Sequence, residues 1–164
     1  MAGFADSHLG RLRAVVGSRM LLVPGARLVI EDPATGRILL QERSDFALWG
    51  LPGGSAEEGE GLEQVAIREA LEETGLAVAD LEPFGFGCDP AYETITFPNG
   101  DRCQFFVMMF RTRSFTEVPV LDSQGESLRL DWFAPDDLPA MLPNMARSVE
   151  AYRRFLATGA FQMI

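Results

Sequence analysis

One helix is strongly determined by the sequence, and its charges are unusual. Residues 61–74 have helical periodicity, and Gly75 provides a natural stop. On a helical wheel, the apolar stripe of residues 62–66 continues into Glu69, Glu72 and Glu73 one and two turns later. A second apolar stripe, Ile67 and Leu71, lies on the opposite side. This pattern predicts a helix that is contacted on both sides, with its glutamates away from the free surface.

Clustering these acids at the end of a helix is unfavourable. Like charges three and four residues apart cost roughly 0.2–0.5 kcal/mol per pair. The helix dipole adds roughly 0.3–1 kcal/mol for each anion in the last turns. A bound divalent cation would reverse the sign of both terms. The alternative is a solvated acidic face in which Arg68 pairs with Glu72, and the helix by itself leaves both interpretations open.

The remaining patterns predict an α/β fold with a mixed sheet covered by helices. A short N-terminal helix is expected to bury Leu9, Leu12, Val15 and Val16. Strands 20–30 and 37–43 should form a hairpin around the turn at 32–36. The other predicted elements are a strand at 76–87, a hairpin of 92–97 with 102–110, a polar loop at 116–127, a strand at 128–133 and a helix at 148–157.

Composition excludes several classes of function. The 164 residues fit one domain, and the net charge of −10 disfavours a nucleic-acid polymer as partner. All 14 basic residues are arginines, which excludes a Schiff-base or P-loop lysine. The single histidine, His8, makes a catalytic triad or a histidine-built zinc site improbable. A hard cation held by oxygen ligands remains open.

The cysteines, the apolar runs and the N-terminal pattern of the sequence predict a cellular location. Two cysteines without a CxxC pair fit a reducing, cytoplasmic compartment and do not indicate a disulfide. No apolar run approaches the length of a membrane span, and the N-terminus lacks the pattern of a signal peptide. The expected location is therefore the cytoplasm, without a membrane partner.

A longer motif surrounds the acidic helix. From Gly54 the chain runs through five residues to Glu60, then seven more to the segment REALEETGL at 68–76. This spacing closely resembles the Nudix box, the signature of the Nudix hydrolase superfamily, with Ala70 where the pattern has a larger aliphatic residue. The segments LWGLPGG, FPNGD and GESLRLDWFAPDDLP also resemble bacterial Nudix proteins.

The resemblance implies a single Nudix domain over residues 1–164, folded as an α/β/α sandwich. It includes an N-terminal helix within 1–18 and a loop-helix-loop at 54–76. It implies Mg²⁺ or Mn²⁺ as cofactor and hydrolysis of a nucleoside diphosphate linked to another group. The positions that match metal ligands are Glu69, Glu72 and Glu73, with Glu60 as accessory acid and Gly54 as the loop glycine. Arg68 matches the arginine that orients the glutamates, and Glu72 and Glu73 also carry the catalytic role.

Candidates outside the box are less strongly marked. Glu126 precedes a strand in a loop that supplies a metal ligand or base in several Nudix enzymes, although a solvated loop residue is equally compatible. Arg43 could bind phosphate or base, or be an ordinary surface arginine. Phe46, Trp49 and Tyr92 could stack on a base or pack in the core. Asn144 could bind a base edge or start a helix.

Substrate markers downstream of the box conflict. Pro90 lies near the place linked with ADP-ribose hydrolases, and Tyr92 lies near the place linked with dinucleoside polyphosphate hydrolases. A broad (deoxy)nucleoside di- or triphosphate pyrophosphohydrolase is therefore favoured. ADP-ribose or another nucleotide sugar is the alternative, and a non-catalytic nucleotide-binding regulator is a third class. Dimers are frequent in proteins of this type, so a homodimer is left open.

Overall fold

The computed structural model of the protein describes residues 4–116, 118–121 and 125–164. The predicted loop at 116–127 therefore lies partly outside the described residues. The helices are α1 (His8–Val16), α2 (Leu62–Thr74), α3 (Pro90–Glu93) and α4 (Pro143–Thr158), preceded by a 3₁₀ turn at Phe4–Asp6. The strands are β1 (Leu21–Ile30), β2 (Ile38–Arg43), β3 (Leu48–Gly50), β4 (Gly53–Ser55), β5 (Ala77–Ala79), β6 (Glu82–Gly87), β7 (Thr94–Thr96), β8 (Arg102–Thr112), β9 (Ser114–Thr116), β10 (Ser127–Phe133) and β11 (Gln162–Met163).

A mixed sheet forms the centre of the fold, as the sequence predicts. Its strand order is β11-β6-β8-β1-β4, and β7 also pairs with β8. Strands β1 and β8 run parallel, whereas β4, β6 and β7 pair antiparallel with their neighbours. A smaller antiparallel sheet has the order β10-β2-β3, and β5 pairs with β9.

Helices cover both faces of the central sheet because β1 alternates its apolar side chains. Leu28 belongs to the apolar cluster that contains Val65 of α2. The next residue, Val29, belongs to the cluster that contains Val149 of α4. Successive residues of a strand point to opposite faces, so β1 separates the two clusters. This layering confirms the predicted mixed α/β fold.

The predicted hairpin of residues 20–30 with 37–43 is wrong. The turn at 32–36 is present, but the two strands share only the bridge from Glu31 to Ile38 before β2 leaves for the smaller sheet. Strand β1 already pairs with β8 along one edge and with β4 along the other, so β2 does not pair with it as a neighbouring strand. The predicted strand at 76–87 is also divided, into β5 and β6, at Asp80, whose φ is 52°.

The predicted burial of two helices needs correction. Val15 in α1 is 85% exposed and Leu12 is also exposed, whereas Arg13 is buried. The Arg13 guanidinium binds the carbonyl oxygens of Gly17 and Arg102, which explains how this charge is accommodated. Likewise Leu71 in α2 is 54% exposed, so α2 is not packed on both sides.

The hairpin predicted between residues 92–97 and 102–110 is confirmed, as strands β7 and β8. Both cysteines are free thiols. None of the helices within the described ranges is long and apolar enough to cross a membrane.

Candidate active site

Helix α2 ends next to the turn that contains Gly53 and Gly54. The helix begins after Gly61 and stops at Gly75, which adopts the left-handed conformation with a φ of 72°. Strand β4 lies against β1, with Gly54 opposite Ala26. This arrangement places the last two turns of α2 beside the backbone of β4, and the acidic residues of the helix lie at that junction.

Glycine is required at position 54 by a close approach. A Cβ atom built on Gly54 would lie 2.2 Å from Oε1 of Glu69. Real Cβ atoms do not approach other atoms that closely, so any side chain would displace this carboxylate. The resemblance marked Gly54 as the loop glycine, and the structure shows that the group beside it is a glutamate.

Arg68 holds the acidic cluster together. Its Nε and Nη2 donate to the two carboxylate oxygens of Glu60 at 2.7 and 2.9 Å. Its Nη1 donates to Glu69 at 2.8 Å and to Glu72 at 3.1 Å, and Nη2 also reaches the Ser55 carbonyl at 3.0 Å. The planar fork suits such multiple recognition. Both oxygens of Glu60 are used by Arg68, whose hydrogen bonds lower the pKa of Glu60.

Glu73 is the most deeply buried of the three acids, at 4% exposure. Its Oε2 accepts a hydrogen bond from the Gly53 amide at 2.8 Å. Burial, helped by the charge of Glu69, raises the pKa of Glu73 to about 8, although Arg43 and Gln41 act in the opposite direction. A buried carboxyl with such a pKa is a typical feature of a functional site.

Glu69 and Glu126 act on each other across the site. Burial raises the pKa of Glu69 most, and the charges of Glu72 and Glu126 raise it further, while Arg68 lowers it. The Glu126 carbonyl accepts a hydrogen bond from the Ser44 amide at 2.9 Å. The structure therefore brings the loop glutamate beside the helix glutamates, although 57 positions separate Glu69 from Glu126 in the sequence.

The donor set fits a hard divalent cation. Three carboxylates lie at one helix end, beside a glycine that admits no side chain. Within the described ranges, however, no three Asp, Glu, His or Cys side chains are already arranged to ligate one ion. Arg68 and the Gly53 amide occupy oxygens of these carboxylates instead. The glutamate side chains would therefore have to move for all three to bind one cation.

A cavity of about 700 Å³ extends from the carboxylates. Its volume lies within the range of small-molecule sites. Its wall includes four glutamates, Glu69, Glu72, Glu73 and Glu126, and a set of apolar side chains, Phe46, Ile95, Phe97, Phe105, Val107, Leu142 and Met145. The rings of Phe46 and Phe97 lie 5.8 Å apart. The wall of this cavity thus combines a cluster of carboxylates with aromatic side chains.

Several predicted substrate-binding residues lie on this cavity. Arg43 lines it, but its guanidinium makes two hydrogen bonds to Asp45, at 3.0 and 2.7 Å. Asn144 also lines the cavity, and its Oδ1 accepts from the Met145 amide at 3.0 Å. Asn144 is the second residue of α4 and not its cap, which is Leu142.

Two aromatic candidates lie elsewhere. Tyr92 is not among the residues that line the cavity, and its ring instead contacts the Arg147 guanidinium, 4.0 Å from the ring centroid. Trp49 is buried in the apolar cluster beneath α4, in edge contact with Phe133. Their sequence positions did not reveal which face each ring would occupy.

Sequence reasoning missed other parts of the cavity wall. Ile95, Phe97 and Phe105 belong to the hairpin of β7 and β8, and alternation along that hairpin was the available signal. The N-terminal segment contributes Phe4, Leu9 and Arg13 to the wall. Its position is fixed partly by the His8 amide, which donates to both oxygens of Glu57 at 3.1 and 2.8 Å.

Comparisons with known proteins agree with this geometry. The model of the NUDIX domain family matches residues 21–155. The chain is 33% identical to a putative 8-oxo-dGTP diphosphatase of Bacillus subtilis over 118 residues, which are 71% of each protein. It also resembles the crystal structure of a MutT NUDIX hydrolase from Burkholderia pseudomallei, with 26% identity and a TM-score of 0.66, covering 80% of this chain and 98% of that one.

A third likeness concerns the fold alone. The NUDIX domain of Shewanella oneidensis NrtR, solved with ADP ribose, is 21% identical with a TM-score of 0.64, over 84% of this chain and 89% of that one. The family match covers most of the sequence and includes the whole of α2 and β4. The protein belongs to the Nudix family, as a hydrolase that acts on pyrophosphate bonds.

Proposed function

We propose that the protein is a divalent-metal-dependent pyrophosphohydrolase of purine (deoxy)nucleoside triphosphates, including oxidised forms. The observation that carries this proposal is one cavity lined by both a carboxylate cluster and aromatic side chains. In this proposal the triphosphate lies against the carboxylates, which form the phosphate end, and the base lies against the aromatic side chains, which form the aromatic end. The similarity to a putative 8-oxo-dGTP diphosphatase supports the same substrate class.

A cation is needed because the phosphate end of the cavity is acidic. Glu69, Glu72 and Glu73 would hold Mg²⁺ or Mn²⁺, which supplies positive charge for the phosphates and acidifies water. Arg68 keeps Glu69 and Glu72 within reach of one another by its shared hydrogen bonds. Without the cation, these carboxylates would repel a pyrophosphate.

Other residues of the chain have separate tasks in this proposal. Glu126, an exposed residue beside Glu69, removes a proton from the attacking water. Arg43 leaves Asp45 to bind a phosphate oxygen. Phe46 and Phe97 contact the faces of the base, and the Asn144 amide, which lines the cavity, binds its edge.

A substrate panel with Mg²⁺ and Mn²⁺ tests the proposal. Purine triphosphates should give a nucleoside monophosphate and pyrophosphate, and turnover should stop when a chelator is added. The Glu73→Gln variant is the matched control for contaminating phosphatases. Faster turnover of pyrimidine than of purine triphosphates would contradict the assignment of the aromatic end.

The second candidate substrate is ADP-ribose or another nucleotide sugar. The cavity is large enough for such a molecule, and a domain of the same fold is known with ADP ribose. The products distinguish the two, since ADP-ribose gives AMP and ribose phosphate. Tight nucleotide binding without turnover of any panel member would instead indicate the regulator. A cytoplasmic location and a homodimer remain predictions.

A further inference from the structure

Gln41 is a polar residue at a fully buried position of β2. Its neighbours Leu39 and Leu40 are also fully buried. Its Nε2 is the one buried side-chain nitrogen or oxygen in the described part of the chain that has no hydrogen-bond partner. Leaving a buried donor unpaired is costly, and an apolar residue of the same size would avoid that cost. A specific role for the amide would account for the polar residue.

One end of the Gln41 amide holds the strand that follows Glu126. Its Oε1 accepts a hydrogen bond from the Ser127 hydroxyl at 2.5 Å. The backbone of the preceding residue is fixed by the Ser44 amide, which donates to the Glu126 carbonyl. Residues at the end of β2 therefore fasten the start of β10 at two points, and Gln41 supplies the side-chain contact.

The other end of the amide lies beside Glu73. Nε2 makes no hydrogen bond to a described acceptor, yet the Gln41 amide lies near enough to Glu73 to lower the pKa of that carboxyl. Burial raises the pKa of Glu73 overall, and the Gln41 amide opposes this effect. A carboxylate can only accept, so the side of the amide that faces Glu73 must be the NH₂ group. In that orientation Oε1 accepts from the Ser127 hydroxyl, as the structure shows.

We propose that Gln41 is a positioning residue: its Nε2 donates to the Glu73 carboxylate in the cation-bound protein, while its Oε1 keeps Ser127 and the neighbouring Glu126 in place. This inference rests on the proposed function. In the structure Glu73 accepts from the Gly53 amide, and Nε2 of Gln41 has no partner. The Gln41 amide would link the helix glutamate to the loop glutamate.

Mn²⁺ titration of the whole protein, without nucleotide, tests this role. Gln41→Met should weaken Mn²⁺ binding about 10- to 100-fold, the effect typical of losing a hydrogen-bond partner of a metal ligand. Leu39→Met is the matched control, because it places the same side chain at a buried position on the same face of β2. The control should bind Mn²⁺ as the wild type does.

Two further measurements separate positioning from a merely structural role. In the Glu73→Gln background, Gln41→Met should change Mn²⁺ affinity by less than about twofold, because the residue it supports is gone. The melting temperature of metal-free Gln41→Met should stay close to that of the wild type, because the variant loses the Ser127 hydrogen bond but also removes an unpaired donor.

Four results would overturn the inference. Wild-type Mn²⁺ affinity in Gln41→Met would show that the amide is not needed. Equal losses in Gln41→Met and Leu39→Met would indicate packing alone. An undiminished effect in the Glu73→Gln background would show that Glu73 is not the partner. Absence of Mn²⁺ binding by the wild type would overturn the proposed function as well.

Discussion

Replacing Glu73 by Gln should stabilise the metal-free protein while it abolishes turnover. Burial raises the pKa of Glu73 to about 8 from an ordinary value of 4.5. The native state therefore holds this proton more tightly than the unfolded chain does. The stability that the protonated form provides is complete below 4.5 and is lost as the pH rises through 8. Glutamine remains neutral over this range and can still accept from Gly53.

The size of the effect follows from the pKa difference. One pKa unit corresponds to about 1.4 kcal/mol, so ionisable Glu73 lowers the free energy of unfolding by about 3 kcal/mol at neutral pH. For a chain of this length, that difference raises the melting temperature of Glu73→Gln above the wild type by roughly 6–12 °C. At the acidic end of the Glu73 titration, where Glu73 is protonated and neutral like glutamine, the two proteins should melt at similar temperatures.

Thermal melts in a chelator, between about pH 5.5 and about pH 8.5, measure this difference. Glu72→Gln is the control, since Glu72 is more exposed and should give a much smaller gain. Adding Mg²⁺ should reverse the order, because only the wild type retains the full ligand set. If the wild type and Glu73→Gln lost the same stability as the pH rises, Glu73 would not be the group whose ionisation destabilises the wild type.

Three other outcomes are expected. Saturating Mg²⁺ should raise the melting temperature of the wild type by about 5–10 °C, since a ligand at 100 times its Kd adds about 2.7 kcal/mol; an unchanged melt would mean that no cation binds the folded protein. Gly54→Ala should lower kcat/KM about 10- to 100-fold by displacing Glu69, whereas Gly61→Ala, whose added Cβ meets only Gln64 at 3.6 Å, should not. Glu126→Gln should lower kcat about 100-fold or more with little change in KM, and a change confined to KM would exclude Glu126 as the base.

The acidic helix was predictable because its signals are local. Periodicity, the stop at Gly75 and the spacing from Gly54 all lie within one continuous segment, so they could be read without tertiary information. The wheel also placed the glutamates on the packed face, and Glu73 is buried there. The same wheel failed for Leu71, because an apolar stripe does not reveal whether a partner element covers it.

Long-range partners were not predictable from the sequence. The hairpin expected between β1 and β2 failed because β8 and β4 already occupy the edges of β1, and those pairings join distant segments. Gln41 gave no signal either, since a single glutamine at the end of an apolar strand is compatible with an exposed edge. Its importance depends on Ser127 and Glu73, which only the fold brings together.

Anomalous scattering from crystals soaked in Mn²⁺ would locate the cation itself. We expect a peak within about 2.5 Å of carboxylate oxygens of Glu69, Glu72 and Glu73, with the Arg68 bonds to Glu69 and Glu72 lengthened or exchanged. A peak elsewhere, or none at saturating Mn²⁺ with those Arg68 bonds intact, would contradict the assignment of this acidic cluster as the cation site.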